Sequence, residues 1–75
     1  NKCMKLFAIF GILCVTNSNI SDHRKCMNFW EDPVIKYQKQ ECIKQVQKRA
    51  NMIEKRFKNE GLFIESLELY CLPVN

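Results

Sequence analysis

Glycine and proline are scarce, with two of each in 75 residues. The chain therefore has no glycine-rich loop to cradle a phosphate. Histidine occurs once, as His23, and serine is sparse. Nucleophilic catalysis needs a nucleophile beside a base and an orienting group, and these residues do not supply one. Neighbouring carboxylates such as Glu31-Asp32 and Glu65/Glu68 read as cap and helix-face residues, so no enzyme and no cofactor are expected. No Cys-x-x-Cys pair occurs among the five cysteines, which therefore read as disulfide cysteines rather than zinc ligands. The longest uncharged apolar run, residues 6–15, is half of the roughly 20 residues a membrane-spanning helix needs. Twelve basic residues against eight acidic ones give a charge of +4. That excess is too mild to imply a nucleic-acid partner without clustering, and none is expected.

What is present begins with that apolar run. Lys5 precedes it, and Thr16-Asn17-Ser18 places small residues where signal peptidase reads them, so residues 1–18 read as an export signal cleaved after Ser18. Residues 1–3 stand as an upstream extension before Met4. The mature chain, 19–75, is then a small secreted, extracellular domain of charge +2, since Lys2 and Lys5 leave. Asn19-Ile20-Ser21 is an N-glycosylation pattern at its start. So short a chain buries little apolar surface and needs a staple or a partner.

The periodicity points to an all-α mini-domain of two or three helices. Ser21 or Asp22 caps a short helix to about Trp30, with Cys26, Met27 and Trp30 on one side and Trp30 as a buried aromatic anchor. Asp32 as N-cap and Pro33 at the first helical position open a long helix over 33–60. Ile35, Cys42, Ile43, Val46, Ala50, Ile53 and Phe57 form its apolar stripe. Gly61 ends it in the left-handed conformation. Over 62–72, Phe63, Ile64, Leu67, Tyr70 and Cys71 match a further helical stripe, with a strand through Leu67-Glu68-Leu69 as the alternative.

With Cys3 and Cys14 lost in the signal, Cys26, Cys42 and Cys71 remain as disulfide candidates. Three thiols allow one bridge and one left over, which points to a disulfide-linked dimer, a free thiol or a shortened chain. A bridge from Cys42 to Cys26 or Cys71 staples a neighbouring helix and contributes roughly 3 to 4 kcal/mol by loop-closure entropy. His23-x-x-Cys26 has a local ligand spacing but falls short of the three or four ligands a site requires, so no metal is expected and His23 is the single weak candidate.

The segment Asp22-His23-Arg24-Lys25-Cys26, the Glu41-Cys42-Ile43 that opens a charged helix, and the later Cys71 resemble the first half of the tick microplusin-type antimicrobial proteins. The resemblance covers about residues 22–71 and rests on cysteine order. It implies a small disulfide-bonded helical bundle that withholds copper or iron through histidines, with His23 as the one histidine here to serve.

The basic residues carry the functional reading. Over 33–60, eight cations stand against Glu41, Glu54 and Glu60. Lys44, Lys48, Arg49, Lys55, Arg56 and Lys58 lie mostly off the stripe and form a basic face. The expectation is a non-enzymatic cationic binding protein of host-defence or antimicrobial type. Its partner is an anionic membrane surface, entered by the stripe, or a protein. The alternative is a secreted carrier or signalling module that binds a protein or small ligand without membrane activity.

Overall fold

In the computed structural model, residues 5–17 and 24–74 are described. They form a three-stranded antiparallel sheet with one helix: β1 Leu6–Asn17, β2 Arg24–Trp30, α1 Lys39–Asn59 and β3 Leu62–Val74. The strand order is β2-β1-β3, which puts the first strand in the middle. The all-α expectation is thus corrected, as is the helical bundle that the microplusin resemblance implied. Two of the three expected helices are strands.

β1 explains the first departure. Its Phe7, Ile9, Phe10, Ile12, Val15 and Thr16 are β-branched or aromatic residues, which suit a pleated ladder. None of its residues from Leu6 to Thr16 is fully exposed, so the strand reads as a continuous apolar run rather than an alternating one. Ala8, Ile9, Leu13 and Cys14 are buried, and Cys42 of α1 completes the set of buried apolar residues among those described. The run expected to be the core of an export signal therefore forms the centre of this sheet. The proposed cleavage point after Ser18, the Asn19 glycosylation pattern, Cys3 and His23 lie outside the described residues.

β2 lies antiparallel to β1, with Phe10 opposite Trp30, Gly11 opposite Phe29 and Cys14 opposite Cys26. The short helix expected to end near Trp30 is this strand, and Trp30 is 45% exposed rather than buried. β3 pairs with the other edge of β1, from Leu6 opposite Val74 to Asn17 opposite Leu62, with a register shift between Cys14 and Val15. Along β3 the sheltered positions run Leu62, Ile64, Ser66, then Leu67, Leu69, Cys71. One extra residue re-phases the strand. That shift breaks the period-two alternation and leaves Ile64, Leu67 and Cys71 three to four residues apart, which imitates a helical stripe.

The long helix exists but starts six residues after Pro33. Local signals favour a start at Asp32-Pro33, yet the backbone of Tyr37 is claimed by the sheet. Phe7 N–H donates to the Tyr37 carbonyl and Tyr37 N–H to the Phe7 carbonyl, both at 2.8 Å. Ile35 accordingly leaves the stripe and is 40% exposed. α1 is capped at Gln38 without a side-chain hydrogen bond, and Arg56 and Lys58 in its last turn suit the helix dipole. Its end is as the sequence implies: Gly61 N–H donates to the Lys58 carbonyl at 3.1 Å, and Gly61 holds φ at 76°.

α1 lies across β3 and the near side of β1 and does not reach β2. Cys42 is bonded to Cys71, and Val46, Ala50, Ile53 and Phe57 are half-buried against the sheet, while Ile43 stays 49% exposed. A second disulfide joins Cys14 to Cys26, directly opposite each other on β1 and β2. The four bonded cysteines leave none unpaired among the described residues, and the fifth, Cys3, lies outside them. Each loop closure is worth roughly 3 to 4 kcal/mol in the entropic account. With a buried core of five apolar residues among those described, these staples are a large share of what holds the fold.

Gly11 marks the tightest packing. It sits between Phe29 and Leu69 in one cross-strand row, and a Cβ there would collide with the Phe29 ring and meet Leu69 Cδ2 at 2.8 Å. The missing side chain lets Phe29 fold over the central strand, tying β2, which α1 does not reach, to the core.

Candidate functional site

The site is built on the outward side of α1. Lysine, glutamine, glutamate, arginine, alanine and methionine supply most of this segment, and all favour the helical state. Cys42, Val46, Ala50, Ile53 and Phe57 recur at threes and fours and turn one side to the sheet. Lys44, Lys48, Asn51, Lys55 and Lys58 recur at the same spacings on the opposite side, and all five are exposed. At 1.5 Å per residue, the row from Lys44 to Lys58 runs about 21 Å along the helix.

The six residues of the sequence-derived basic face do not act alike. Lys44, Lys48, Lys55 and Lys58 make no ion pair among the described residues. Arg56 lies 3.9 Å from Glu60, one turn on, in an exposed pair of little energetic weight. Arg49 turns inward: its guanidinium pairs with Glu31 at the end of β2. Tyr37 hydroxyl donates to the other oxygen of that carboxylate at 3.0 Å. The hydrogen bond with Tyr37 and the charge of Glu31 raise the Arg49 pKa above its ordinary value, against a lowering by burial. Arg49 is therefore a fastener between helix and sheet, and the available face is the four lysines.

Two shallow open hollows border the row. Among the described residues one is lined by Asn51, Met52, Glu54, Lys55 and Lys58, and the other by Glu54, Lys58, Leu62, Phe63 and Ile64. Met52 and Phe63 are 60% and 62% exposed, so apolar surface flanks the cationic end of the row. Glu54 is the carboxylate shared by both hollows.

The opposite face of the sheet holds what the sequence reading passed over. Trp30, Phe10 and Tyr70 stand opposite one another across β2, β1 and β3, with the Phe10 and Trp30 ring centroids 5.0 Å apart and tilted by 59°. The next row on that face is Asn28, Ile12 and Glu68. These residues are far apart in sequence. Only the strand assignments reveal them as neighbours, and the signal available was the alternation Trp30, Asn28, Cys26 in β2.

No group of three or more histidine, cysteine, aspartate or glutamate side chains is arranged to hold a metal among the described residues, and no helix there is long and apolar enough to cross a membrane. Compared with known proteins, the chain matches no family model, no curated protein and no solved structure.

Proposed function

We propose that this chain is a small secreted binding protein, of host-defence type, that docks on anionic surfaces through the lysine row of α1 and has no catalytic activity. One observation carries the reading: Lys44, Lys48, Lys55 and Lys58 line the side of α1 that faces away from the sheet, without carboxylate partners among the described residues. Two disulfides favour an oxidising, extracellular setting.

The apolar stripe does not take part in the way a membrane-entering helix requires. Val46, Ala50, Ile53 and Phe57 rest on the sheet, so the contact is peripheral and electrostatic. A lysine near an anionic bilayer contributes about 1 kcal/mol. Four give about 4 kcal/mol, a dissociation constant near the millimolar range. Such binding is weak, salt-sensitive and strengthened by several copies on one surface.

The test is sedimentation of the disulfide-bonded chain with vesicles of phosphatidylglycerol and phosphatidylcholine at low ionic strength. Lys48→Glu with Lys55→Glu should abolish binding while leaving the circular dichroism spectrum unchanged. Retained binding in that variant, or none in the unaltered chain, would overturn the proposal and leave a protein partner as the reading.

A further inference from the structure

We propose that the sheet face turned away from α1 is a carbohydrate platform, taking a neutral glycan on the Trp30–Phe10–Tyr70 row. This site is independent of the lysine row and stands or falls separately.

The row crosses all three strands, and neighbouring strands lie about 4.8 Å apart, so Trp30 and Tyr70 are anchored about 10 Å apart across Phe10. Trp30 is 45% and Tyr70 42% exposed, although both are large aromatic residues in a chain whose core is short of apolar volume. Phe10 meets Trp30 in a tilted contact, which supports the indole from one side and leaves much of it open. A sugar ring offers an apolar face of C–H bonds bordered by hydroxyl groups. Flat aromatic side chains accept such a face, and the polar border needs hydrogen-bonding groups beside the rings. Asn28 and Glu68, both exposed, occupy the adjoining row on either side of Ile12. Asn28 supplies a donor and an acceptor, and the Glu68 carboxylate accepts from hydroxyls. Tyr70 hydroxyl already donates to Glu68, which turns the phenol towards that row.

Charge selects the ligand class. An anionic ligand on this row would face Glu68, whose charge no basic side chain offsets among the described residues; Glu65, the other carboxylate near this face, is paired with Arg24. A cationic ligand would approach a chain of net charge +4. A neutral polyhydroxylated ring meets neither obstacle.

Trp30 is the only tryptophan of the chain, so its emission reports on the row directly. The full disulfide-bonded chain is titrated with cellohexaose and with chitohexaose. A saturable change in emission with at least one of them is the expected result, and Tyr70→Ala, which keeps the reporter, should weaken it by about ten-fold. If Tyr70→Ala fails to fold, Asn28→Ala on the exposed edge strand serves in its place and should weaken binding several-fold. No emission change with either glycan, or undiminished affinity in the variant that folds, overturns the proposal. So does a doubled sedimentation mass that Tyr70→Ala abolishes, because the face would then belong to a second copy of the chain.

Discussion

Arg49, midway along α1, and Glu31, just past the end of β2, form an ion pair that ties the helix to a strand it does not otherwise touch. The Glu31 side chain is only 12% exposed, and Tyr37 hydroxyl occupies its second oxygen. Arg49→Ala would leave that carboxylate largely desolvated and half-paired. The expected loss is about 1 to 3 kcal/mol of stability, read from urea unfolding. Lys48→Ala, one position earlier and outward, should stay within about 0.5 kcal/mol. The raised Arg49 pKa puts its stabilisation in place below about pH 12 and removes it only as pH climbs further, so the guanidinium's own titration gives no pH dependence in the ordinary range. Equal losses at positions 48 and 49 would show that Arg49 is merely part of the solvated face.

The glycines separate packing from backbone strain. Gly11→Ala puts a Cβ into the Phe29 ring and against Leu69, and should cost about 1 to 3 kcal/mol through displaced side chains. Gly61→Ala meets nothing within 4 Å but must hold φ near 76°, at a cost of about 1 kcal/mol. Phe29→Ala combined with Gly11→Ala should recover part of the Gly11 loss by making room and should do nothing for Gly61. Additive losses at positions 11 and 29 in unfolding measurements would show that the two do not share a contact.

What the sequence made legible was mostly local. The helix over 39–59, its stripe, its outward lysines and the Gly61 stop follow from spacing and propensity within one segment. The strands did not, because each was disguised by its place in the sheet. Residues 6–15 are apolar at every position, with none fully exposed, and so show no alternation. The shift near Ser66 turns the alternation of β3 into helix-like spacing. In β2, Cys26, Met27 and Trp30 fit three-to-four spacing as readily as period two. The Asp32-Pro33 start lost to a long-range ladder between Tyr37 and Phe7, which no local rule contains. The candidate site divides in the same way: four lysines were visible, whereas the inward turn of Arg49 and the aromatic row depended on pairing.

Tyr70 offers a titration with a defined sign. Its hydroxyl donates to Glu68, and that hydrogen bond, followed by desolvation and the carboxylate's charge, raises its pKa above the ordinary phenol value. The contribution of the bond is fully present below about pH 10, where the unfolded phenol titrates, and is lost as pH rises through the higher folded value. Ring resonances of Tyr70 should therefore titrate above the range of a free tyrosine, and Glu68→Gln should bring the midpoint down. A midpoint indifferent to Glu68→Gln would mean that the two side chains are not bonded in solution.

Cys14 has two incompatible fates. If residues 1–18 leave as an export signal, Cys14 goes with them, the sheet loses its central strand, and Cys26 emerges without a partner. If the strand stays, Cys14 is bonded to Cys26 and Ala8, Ile9 and Leu13 keep the core filled. Burial argues for the second outcome: of the five buried apolar residues among those described, only Cys42 lies outside β1. A chain cut after Ser18 would keep one short edge strand, one long strand and a helix with little to cover, too little for a stable domain of this size. We therefore expect the folded protein to retain residues 5–17. Its intact mass should fall short of the fully reduced mass by two hydrogens for each of two bridges. Non-reducing peptide mapping should link the Cys14 peptide to that of Cys26 and the Cys42 peptide to that of Cys71. Ile9→Ala should then cost about 2 to 5 kcal/mol, a loss possible only if the strand is part of the folded molecule. A secreted product that begins at Asn19 and forms a Cys26-linked dimer would reverse the assignment, making residues 6–15 a leader and the sheet a feature of the uncleaved chain alone.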